Sequence, residues 1–323
     1  MSPLQPPRIT RTVIADLPNI EAAVLAATAL GQTATEPSHT PRKQFAFPLE
    51  GVHLLVDDKR DLLVDLNQVA IVPVDSVTQD RHPAVGDMSC LILTPDEVTL
   101  DEVLRTDPDP WSERCYCRPA PPGVQLAARW VTGVAARRAG ETAWLEESLL
   151  GLIAALGDEK PYVSLPLGGR PLRLIRAAKE LMALDPQPVT LGKLAAQLGV
   201  SPAYLTSLFH KAEGMPLYRY HLKLRLAEAL TLLPAKNDIT SVALDLGFSS
   251  HSHFTSAFRA QYGVTPSEYR AFSRPGTGGW TGAAGGFHAD PAPVLSPPGL
   301  TLAASRTMAQ TPDANNPARR SAA

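Results

Sequence analysis

Apolar residues in the last third of the chain recur every three or four positions, which is the period of an amphipathic helix. The stripe that contains Leu205 and Phe209 returns further along in Phe254 and Phe258. Four pairs of matching residues lie 49 positions apart, namely Leu205 and Phe254, Phe209 and Phe258, Gly214 and Gly263, and Tyr220 and Tyr269. The repeat predicts two copies of one helical unit.

Each copy also carries the residues that a tight turn between two helices requires. Gly199 and Gly247 can adopt the left-handed conformation that ends a helix without steric penalty. Ser201 is placed to cap the next helix of the first copy, and Ser249 or Ser250 has that place in the second. Each copy therefore predicts a helix-turn-helix unit.

A helix over residues 217–233 is predicted between the two units. Its apolar face is formed by Tyr220, Leu224, Ala227, Leu230 and Leu233. A helix-turn-helix can place its second helix in the major groove of DNA, although one copy alone is also common in small helical bundles. Two copies in register, joined by a rigid helix, favour a protein that reads DNA, with the two second helices about 34 Å apart.

From residue 44 to about residue 100 the apolar runs shorten to the length of strands. These runs are Phe45 to Phe47, Val52 to Val56, Leu62 to Val64, Val69 to Val72 and Cys90 to Leu93. Turn-forming residues separate them. Short strands at this spacing predict a small antiparallel barrel or sandwich.

The N-terminal residues show a different pattern. Residues 1–15 begin with several prolines and are expected to be disordered. Residues 16–30 are rich in alanine and lie between Asp16, a helix-capping type, and Gly31, so they predict a helix.

Behind the strands, residues 107–123 are rich in Pro, Cys and Arg and predict a loop, and residues 124–138 and 141–156 predict two helices. The second helix has a leucine stripe formed by Leu145, Leu149, Leu152 and Leu156. Such a stripe either packs against the β region of its own chain or forms a homodimer seam, and fewer than two heptads do not decide between these alternatives.

The charge of the chain changes sign near residue 170, where the strand-length apolar runs and the helices behind them give way to the helical repeat. Residues 1–169 contain 14 Lys and Arg against 23 Asp and Glu, whereas residues 170–273 contain 12 against 7. A basic module behind an acidic one fits the binding of a polyanion. No run of 18 apolar residues and no secretion signal pattern occurs, so a cytoplasmic protein without a membrane partner is expected.

The histidines and cysteines of the acidic part are candidates for metal ligands and reactive thiols. His39, His53 and His82 do not follow a metal-ligand spacing, so structural histidines are favoured and no metal or cofactor is predicted. Cys115 and Cys117 lie between arginines, which can lower a thiol pKa. A thiol-based redox or electrophile sensor that uses the same DNA-binding module is therefore the alternative function. A methyl-accepting repair enzyme would need a four-cysteine zinc site, so the chain is predicted not to be an enzyme.

Three segments carry a resemblance to the C-terminal domain of the AraC/XylS family of bacterial transcription regulators. Residues 243–259 (ALDLGFSSHSHFTSAFR) resemble the second helix-turn-helix of that family, residues 263–270 (GVTPSEYR) resemble its end, and residues 222–227 (LKLRLA) fit the connecting helix. Residues 40–100 resemble, more loosely, the cupin-like barrel that many members use to sense a small molecule. The resemblance implies promoter DNA as a partner, with RNA polymerase, an unidentified small effector and a second copy of the chain as further partners.

The resemblance also implies which residues touch DNA. Base contacts would come from Ala203, Thr206, Ser207, His251, Ser252 and Ser256. Backbone contacts would come from Ser201, Tyr204, His210, Lys211, Ser250, His253 and Arg259. Members of the family often carry Arg where Ser207 and Ser256 stand here, so fewer guanine contacts and more reading of shape and phosphate are expected.

The fold expected from these observations is an α+β chain of several parts. Residues 16–156 form a sensor and dimerisation domain, with a β-rich region at 44–100 and helices at 124–156. Residues 157–169 are a linker and residues 273–323 a disordered tail. Residues 170–272 are the all-α domain with two tandem helix-turn-helix units.

Overall fold

The structure is a computed structural model, which describes residues 8–57, 60–104, 114–135, 142–157, 169–185, 187, 189–236 and 238–273. The strands are β1 (Arg8–Asp16), β2 (Ile20–Leu30), β3 (Ser38–Thr40), β4 (Gln44–Gly51), β5 (His53–Asp57), β6 (Arg60–Val64), β7 (Gln68–Val72), β8 (Ser76–Arg81), β9 (Gly86–Pro95) and β10 (Tyr116–Pro119). The helices are α1 (Glu97–Leu104), α2 (Pro122–Ala135), α3 (Thr142–Gly157), α4 (Gly169–Leu184), α5 (Leu191–Gln197), α6 (Pro202–Glu213), α7 (Leu217–Ala235), α8 (Ile239–Asp245), α9 (His251–Tyr262) and α10 (Pro266–Ser273). The predicted linker and tail lie almost entirely outside these ranges. No helix within them is both long enough and apolar enough to span a membrane.

The strands form two antiparallel sheets, in the orders β1-β2-β9-β4-β7-β10 and β3-β8-β5-β6. Side chains of both sheets meet in one apolar cluster, where Leu55 and Val64 of the smaller sheet join Val72, Met88 and Ile92 of the larger. A core shared by two facing sheets is the arrangement of a small barrel or sandwich. The N-terminal part is therefore a small β domain of the barrel or sandwich type, as predicted.

The other face of the six-stranded sheet is covered by α2 and α3. The α3 leucines 145, 149, 152 and 156 are at most 5% exposed and share a cluster with Phe45 and Leu91 of the sheet. The leucine stripe therefore packs on its own chain, which decides between the two alternatives left by the sequence. A homodimer would have to use another surface.

The helix predicted over residues 16–30 is wrong. Residues Ile20–Leu30 form β2, which pairs with β1 on one side and with β9 on the other. Ala22 lies in the cluster beneath the helices and Ala27 in the cluster between the sheets. Because both faces of β2 are buried, its apolar run lacks the alternation that marks a strand, and the alanines imitate a helix. The disorder predicted for residues 1–15 is also wrong for Arg8–Ala15, which belong to strand β1.

The loop predicted over residues 107–123 contains an edge strand. Residues Tyr116–Pro119 form β10, which pairs with β7, and α2 already begins at Pro122. A four-residue strand with one proline has almost no sequence signal, and its position depends on the partner strand. The strands β3 and β8 were also missed; in β8, Ser, Thr, Gln, Asp and Arg surround a single valine.

The connecting helix α7 belongs to two cores at once. Tyr220, Leu224 and Ala227 pack with the first helix-turn-helix unit, whereas Leu230 and Leu233 pack with the second. The single apolar face predicted for these five residues therefore serves two clusters in succession. This sharing fixes the two units relative to each other.

Polar contacts join the β domain to the helical domain. The hydroxyl of Tyr220 donates to Asp65 Oδ2 (2.6 Å), and Asn67 Nδ2 donates to the carbonyl of Tyr220 (3.2 Å). Further along α7, the hydroxyl of Thr231 donates to the carbonyl of Leu49 (2.9 Å). The β domain thus holds α7 near both of its ends.

Candidate nucleic-acid interface

The second helix of the first unit, α6, has the start and end that the sequence predicts. Ser201 caps it by accepting a hydrogen bond from the backbone N–H of Tyr204 (3.2 Å), with Pro202 at the first helical position. Gly199 has φ 64° in the preceding turn, and Gly214 has φ 64° at the end of the helix. Both glycines occupy the left-handed region that other residues rarely adopt.

One side of α6 is buried and the other is open. Leu205, Leu208, Phe209 and Ala212 are at most 8% exposed. The predicted DNA contacts on this helix are all exposed: Ser201, Ala203, Tyr204, Thr206, Ser207, His210 and Lys211. The hydroxyl of Thr206 donates to the carbonyl of Pro202 (2.9 Å), so its proton is engaged within the helix. Thr206 therefore presents its methyl group outward, and while this bond holds, its hydroxyl oxygen can only accept a hydrogen bond from a partner.

The second helix of the second unit, α9, is built in the same way. Its cap is Ser250, whose hydroxyl accepts from the backbone N–H of His253 (3.1 Å), so of the two serines Ser250 takes this role. Gly247 has φ 69° in the turn and Gly263 has φ 76° at the end. Both α6 and α9 have 12 residues and end at a left-handed glycine. Pro216 follows Gly214 by two residues, whereas Pro266 follows Gly263 by three, and this difference does not shorten α6 relative to α9.

The outward side of α9 carries neutral and basic side chains. Each predicted contact on it is exposed: Ser250, His251, Ser252, His253, Ser256 and Arg259. The ring of His253 packs edge-on against Phe248 (5.4 Å between centroids), which holds it beside the start of the helix. No acidic residue occurs in α9. This side can therefore approach a phosphate backbone without charge repulsion.

Sequence patterns did not single out two basic groups of the first unit and misjudged one residue of the second. Lys193, near the start of α5, and Arg219, in the first turn of α7, are exposed. Each is an isolated basic residue in the sequence and so belongs to no recognisable pattern. Helical periodicity would leave Thr255 on the outward side of α9, but the residue is half-buried and its hydroxyl oxygen lies in the interior.

Arg225 shows that a basic residue here can serve the fold. Its Nε donates to the carbonyl of Leu246 (2.6 Å), and its guanidinium lies 4.1 Å from the centre of the Phe248 ring. Burial lowers the pKa of Arg225. The side chain thus supports the turn of the second unit from the inside.

The cysteine chemistry proposed from the sequence is not supported. Burial, followed by the charge of Asp57, raises the pKa of Cys115 to about 12, and burial raises the pKa of Cys117 to about 12 despite the nearby Lys179. Thiols with such values remain protonated at neutral pH and react slowly. Neighbouring arginines in the sequence therefore do not activate this pair.

The three histidines of the β domain have separate surroundings. His53 Nε2 lies 3.7 Å from Asp80 Oδ1, and burial lowers the pKa of this imidazole. His82 Nδ1 accepts from the backbone N–H of Ala84 (3.1 Å), and His39 Nε2 lies 3.4 Å from Asp75. Within the described ranges, no three or more His, Cys, Asp or Glu side chains are grouped as a metal site.

Comparisons with known proteins point to the same region. Residues 194–271 match the model of a helix-turn-helix domain family. The chain is 33% identical over 124 residues to the HTH-type transcriptional regulator ArgR of Pseudomonas aeruginosa, which covers 38% of each protein. It is 38% identical over 85 residues to GbdR of the same species, which covers 26% of this chain and 23% of that regulator. The chain thus spans well under half of the length of either regulator.

A solved structure gives a more complete match to the helical domain. A transcriptional regulator with an AraC-type DNA-binding domain, from Chromobacterium violaceum, is 35% identical and covers 32% of this chain and 93% of its own, with a TM-score of 0.30. All three relatives are named as transcriptional regulators. Residues 194–271 therefore form a helix-turn-helix domain.

Proposed function

We propose that the protein is a cytoplasmic, sequence-specific transcription regulator that reads promoter DNA with α6 and α9 in successive major grooves. The observation that carries this proposal is the pairing of the two helices. They have equal length, the same serine cap and glycine end, one buried side, and an outward side of polar and basic residues. Because α7 packs in both cores, the pair can meet DNA as one rigid unit.

The exposed side chains divide into two roles. The base contacts fall to Ala203, Thr206, Ser207, His251, Ser252 and Ser256, and the phosphate contacts to Tyr204, His210, Lys211, His253, Arg259 and the helix starts at Ser201 and Ser250. The Thr206 methyl group suits the methyl of thymine, since its hydroxyl proton is already engaged. Short serines at 207 and 256 favour recognition by DNA shape.

The β domain supplies the regulatory input in this proposal. It contacts α7 through Leu49, Asp65 and Asn67, so a change in that domain reaches the element that spaces the two reading helices. A small effector held by the N-terminal domain would act through these contacts. The limits 170–272 remain the working limits of the helical domain in this proposal, whereas the N-terminal domain is taken to begin with β1 at Arg8.

Selection of binding sites by the full-length protein from genomic DNA fragments tests the proposal. We expect a preferred site that spans two consecutive major grooves. His251→Ala should change base preference at one position, whereas His39→Ala, which alters an exposed histidine of β3, should not. Equal binding of all fragments, or the same preference in the wild type and in His251→Ala, would contradict the reading roles assigned to α6 and α9.

A further inference from the structure

The seam between the β domain and the first helix-turn-helix unit contains the turn that joins β6 to β7. Leu66 of this turn is 5% exposed and belongs to the same apolar cluster as Leu194 of α5 and Leu205 of α6. The backbone N–H of Asn67 donates to Asp65 Oδ1 (2.9 Å), which holds the turn closed. A fixed turn of the β domain is thus part of the core of the first unit.

The start of α2 enters the core of the second unit in a comparable way. Leu126 is 3% exposed and belongs to the same cluster as Phe254 and Phe258 of α9. Val124 and Ala127, on either side of this part of the helix, belong to the cluster beneath the six-stranded sheet. Helix α2 therefore lies between the sheet and the second unit and packs against both.

The side chain of Gln125 connects these two insertions. It is 5% exposed, its Nε2 donates to the carbonyl of Leu66 (2.7 Å), and its Oε1 accepts from the hydroxyl of Tyr262 in α9 (2.9 Å). Burial raises the pKa of Tyr262, so this hydroxyl keeps its proton and acts as the donor. The first unit is thereby joined to the second through Leu66, Gln125 and Tyr262, at a place separate from α7.

A second connection between the units restricts movements that α7 alone allows. Packed helical units that share one element can still shift against each other by small hinge or shear movements. The backbone N–H of Ala120 donates to the carbonyl of Asn67 (2.7 Å), so the segment before α2 is fixed to the turn at the seam. A shift of one unit would have to break the buried bonds of Gln125 or draw Leu66 or Leu126 out of its cluster. Breaking buried hydrogen bonds is costly because their donors and acceptors lose all partners.

We propose that Gln125 is a positioning residue, which holds the two helix-turn-helix units in one relative orientation and thereby favours DNA sites of one spacing. The inference rests on the proposed function, because it concerns how α6 and α9 reach successive grooves together. A site lengthened by one base pair displaces and rotates the second recognition sequence relative to the first. The wild-type protein meets such a site only by breaking the Gln125 bridge, and this cost adds to its discrimination.

The distance between the two units tests this role without DNA. Nitroxide labels are attached to the full-length protein carrying Ser207→Cys and Ser256→Cys, two exposed positions on α6 and α9, and pulsed electron paramagnetic resonance measures their separation. The native thiols are buried or have a raised pKa, so they react slowly with the label. We expect one narrow distance distribution, which broadens in Gln125→Met because this change keeps the length of the side chain but removes both polar ends.

Gln79→Met is the matched control. Gln79 is half-buried in β8, and its Nε2 donates to the carbonyl of Thr35 (2.6 Å) within the β domain. The substitution removes the same kind of hydrogen bond but leaves the contacts with the helical domain in place. We therefore expect the distance distribution of the wild type.

Binding to two DNA duplexes tests the consequence for recognition. One duplex carries the preferred site, and the other carries the same site with one base pair inserted between its two recognition sequences. Gln125→Met should bind the preferred site within about twofold of the wild type but the lengthened site about fivefold more tightly, because no bridge remains to be broken. A substitution that merely destabilises the fold would weaken binding to both duplexes.

A second variant tests the other end of the bridge. Tyr262→Phe removes the bond to Gln125 and keeps the aromatic ring, so it should relax the spacing preference by a similar factor. The double variant with Gln125→Met should relax it no further, since the two bonds act in series and their effects are not additive. If Gln125→Met does not fold, Tyr262→Phe decides the question.

The outcomes separate this inference from the proposed function. The same distance distribution in the wild type and in both bridge variants, or equal broadening in Gln79→Met, overturns the positioning role. An unchanged ratio of the two DNA affinities overturns it as well. If the wild-type protein prefers no DNA site, the proposed function is wrong, and the distance measurement still decides whether Gln125 positions the two units.

Discussion

The two helix-turn-helix units share a backbone plan but differ in what anchors them. Tyr220 and Tyr269 occupy equivalent positions 49 residues apart. The hydroxyl of Tyr220 donates to Asp65 in the β domain, whereas that of Tyr269 donates to the carbonyl of Leu230 in α7. Tyr220 thus ties the first unit to the β domain, whereas the second unit reaches the N-terminal part through Tyr262, whose hydroxyl donates to Gln125 Oε1 of α2 (2.9 Å). The repeated sequence therefore preserves the helix-turn-helix motif, but the two equivalent tyrosines bond to different partners.

The cores of the two units also differ in composition. The second unit has a chain of aromatic contacts through Phe248, Phe254, Phe258 and Tyr262, with ring centres 4.8–5.7 Å apart. In the first unit the matching region is mainly leucine, and Phe209 contacts Tyr220 at the seam. Aromatic pairs contribute about 0.5–1.5 kcal/mol beyond their buried area. The core of the second unit therefore gains more from aromatic pairing than the core of the first.

The largest contrast is expected from removing one hydroxyl in each unit. Tyr220→Phe takes a donor from Asp65, which is fully buried, and should lower the free energy of unfolding by about 1–3 kcal/mol. Tyr269→Phe removes a bond to a backbone carbonyl and should cost about 1 kcal/mol. Urea unfolding of both variants measures the difference, and hydrogen exchange should show faster opening of the seam only in Tyr220→Phe. Equal costs would mean that Asp65 does not anchor the first unit.

A smaller contrast is expected at the helices that follow α6 and α9. Helix α10 begins with a capping pair, in which the Thr265 backbone N–H donates to Glu268 Oε2 (2.7 Å) and the Glu268 N–H donates to Thr265 Oγ1 (3.3 Å). Pro216 stands at the matching place before α7 and provides no side-chain cap. Thr265→Ala should therefore lower the free energy of unfolding by about 1 kcal/mol. Thr240→Ala, a control on α8, should change it by less than about 0.5 kcal/mol.

The capping pair also gives a pH dependence. The backbone N–H of Thr265 holds the pKa of Glu268 below its usual value. A lowered folded pKa contributes stability above the unfolded value of about 4.3, and this contribution is lost as the pH falls through the folded pKa. Acid should therefore weaken the second unit in the wild type more than in Glu268→Gln. Unfolding measured from neutral pH down to about pH 3 compares the two, and parallel curves would argue against the role of Glu268.

The smallest contrast concerns the salt dependence of DNA binding. Lys211 of α6 and Arg259 of α9 are exposed near the ends of the two reading helices. If each neutralises a phosphate, Lys211→Ala and Arg259→Ala should each reduce the slope of log K against log salt by about one, without changing base preference. Fluorescence anisotropy over a range of salt concentrations measures the slope. An unchanged slope in one variant would remove that helix from the phosphate contacts.

Several elements could be predicted from the sequence because their signals are local. The caps Ser201 and Ser250 and the turn glycines Gly199 and Gly247 act within a few residues of chain, so their spacing is enough. The buried sides of α6 and α9 follow from helical periodicity in the same way. The outward sides, which carry the proposed contacts, follow by elimination.

Other elements could not be predicted because distant residues decide them. The alanines of β2 resemble a helix until β1 and β9 pair on either side, and β10 is a strand only because β7 lies next to it. The pKa of Cys117 is set by burial and outweighs the charges that its sequence neighbours suggest. The hydrogen bond from Asn67 to the carbonyl of Tyr220 joins residues 153 positions apart, so no sequence pattern contains it.

By itself the sequence determined the two tandem helix-turn-helix units and the β character of the acidic half, since periodicity, caps and turn residues act over short distances. Only the tertiary structure decided that Tyr220 bonds to Asp65, where the leucine stripe of α3 packs and which polar atoms meet between the β domain and the helical domain. Those features depend on burial and on partners far away in the chain, and hydrogen-bond donors and charges acquire their energies only when the fold removes water from around them.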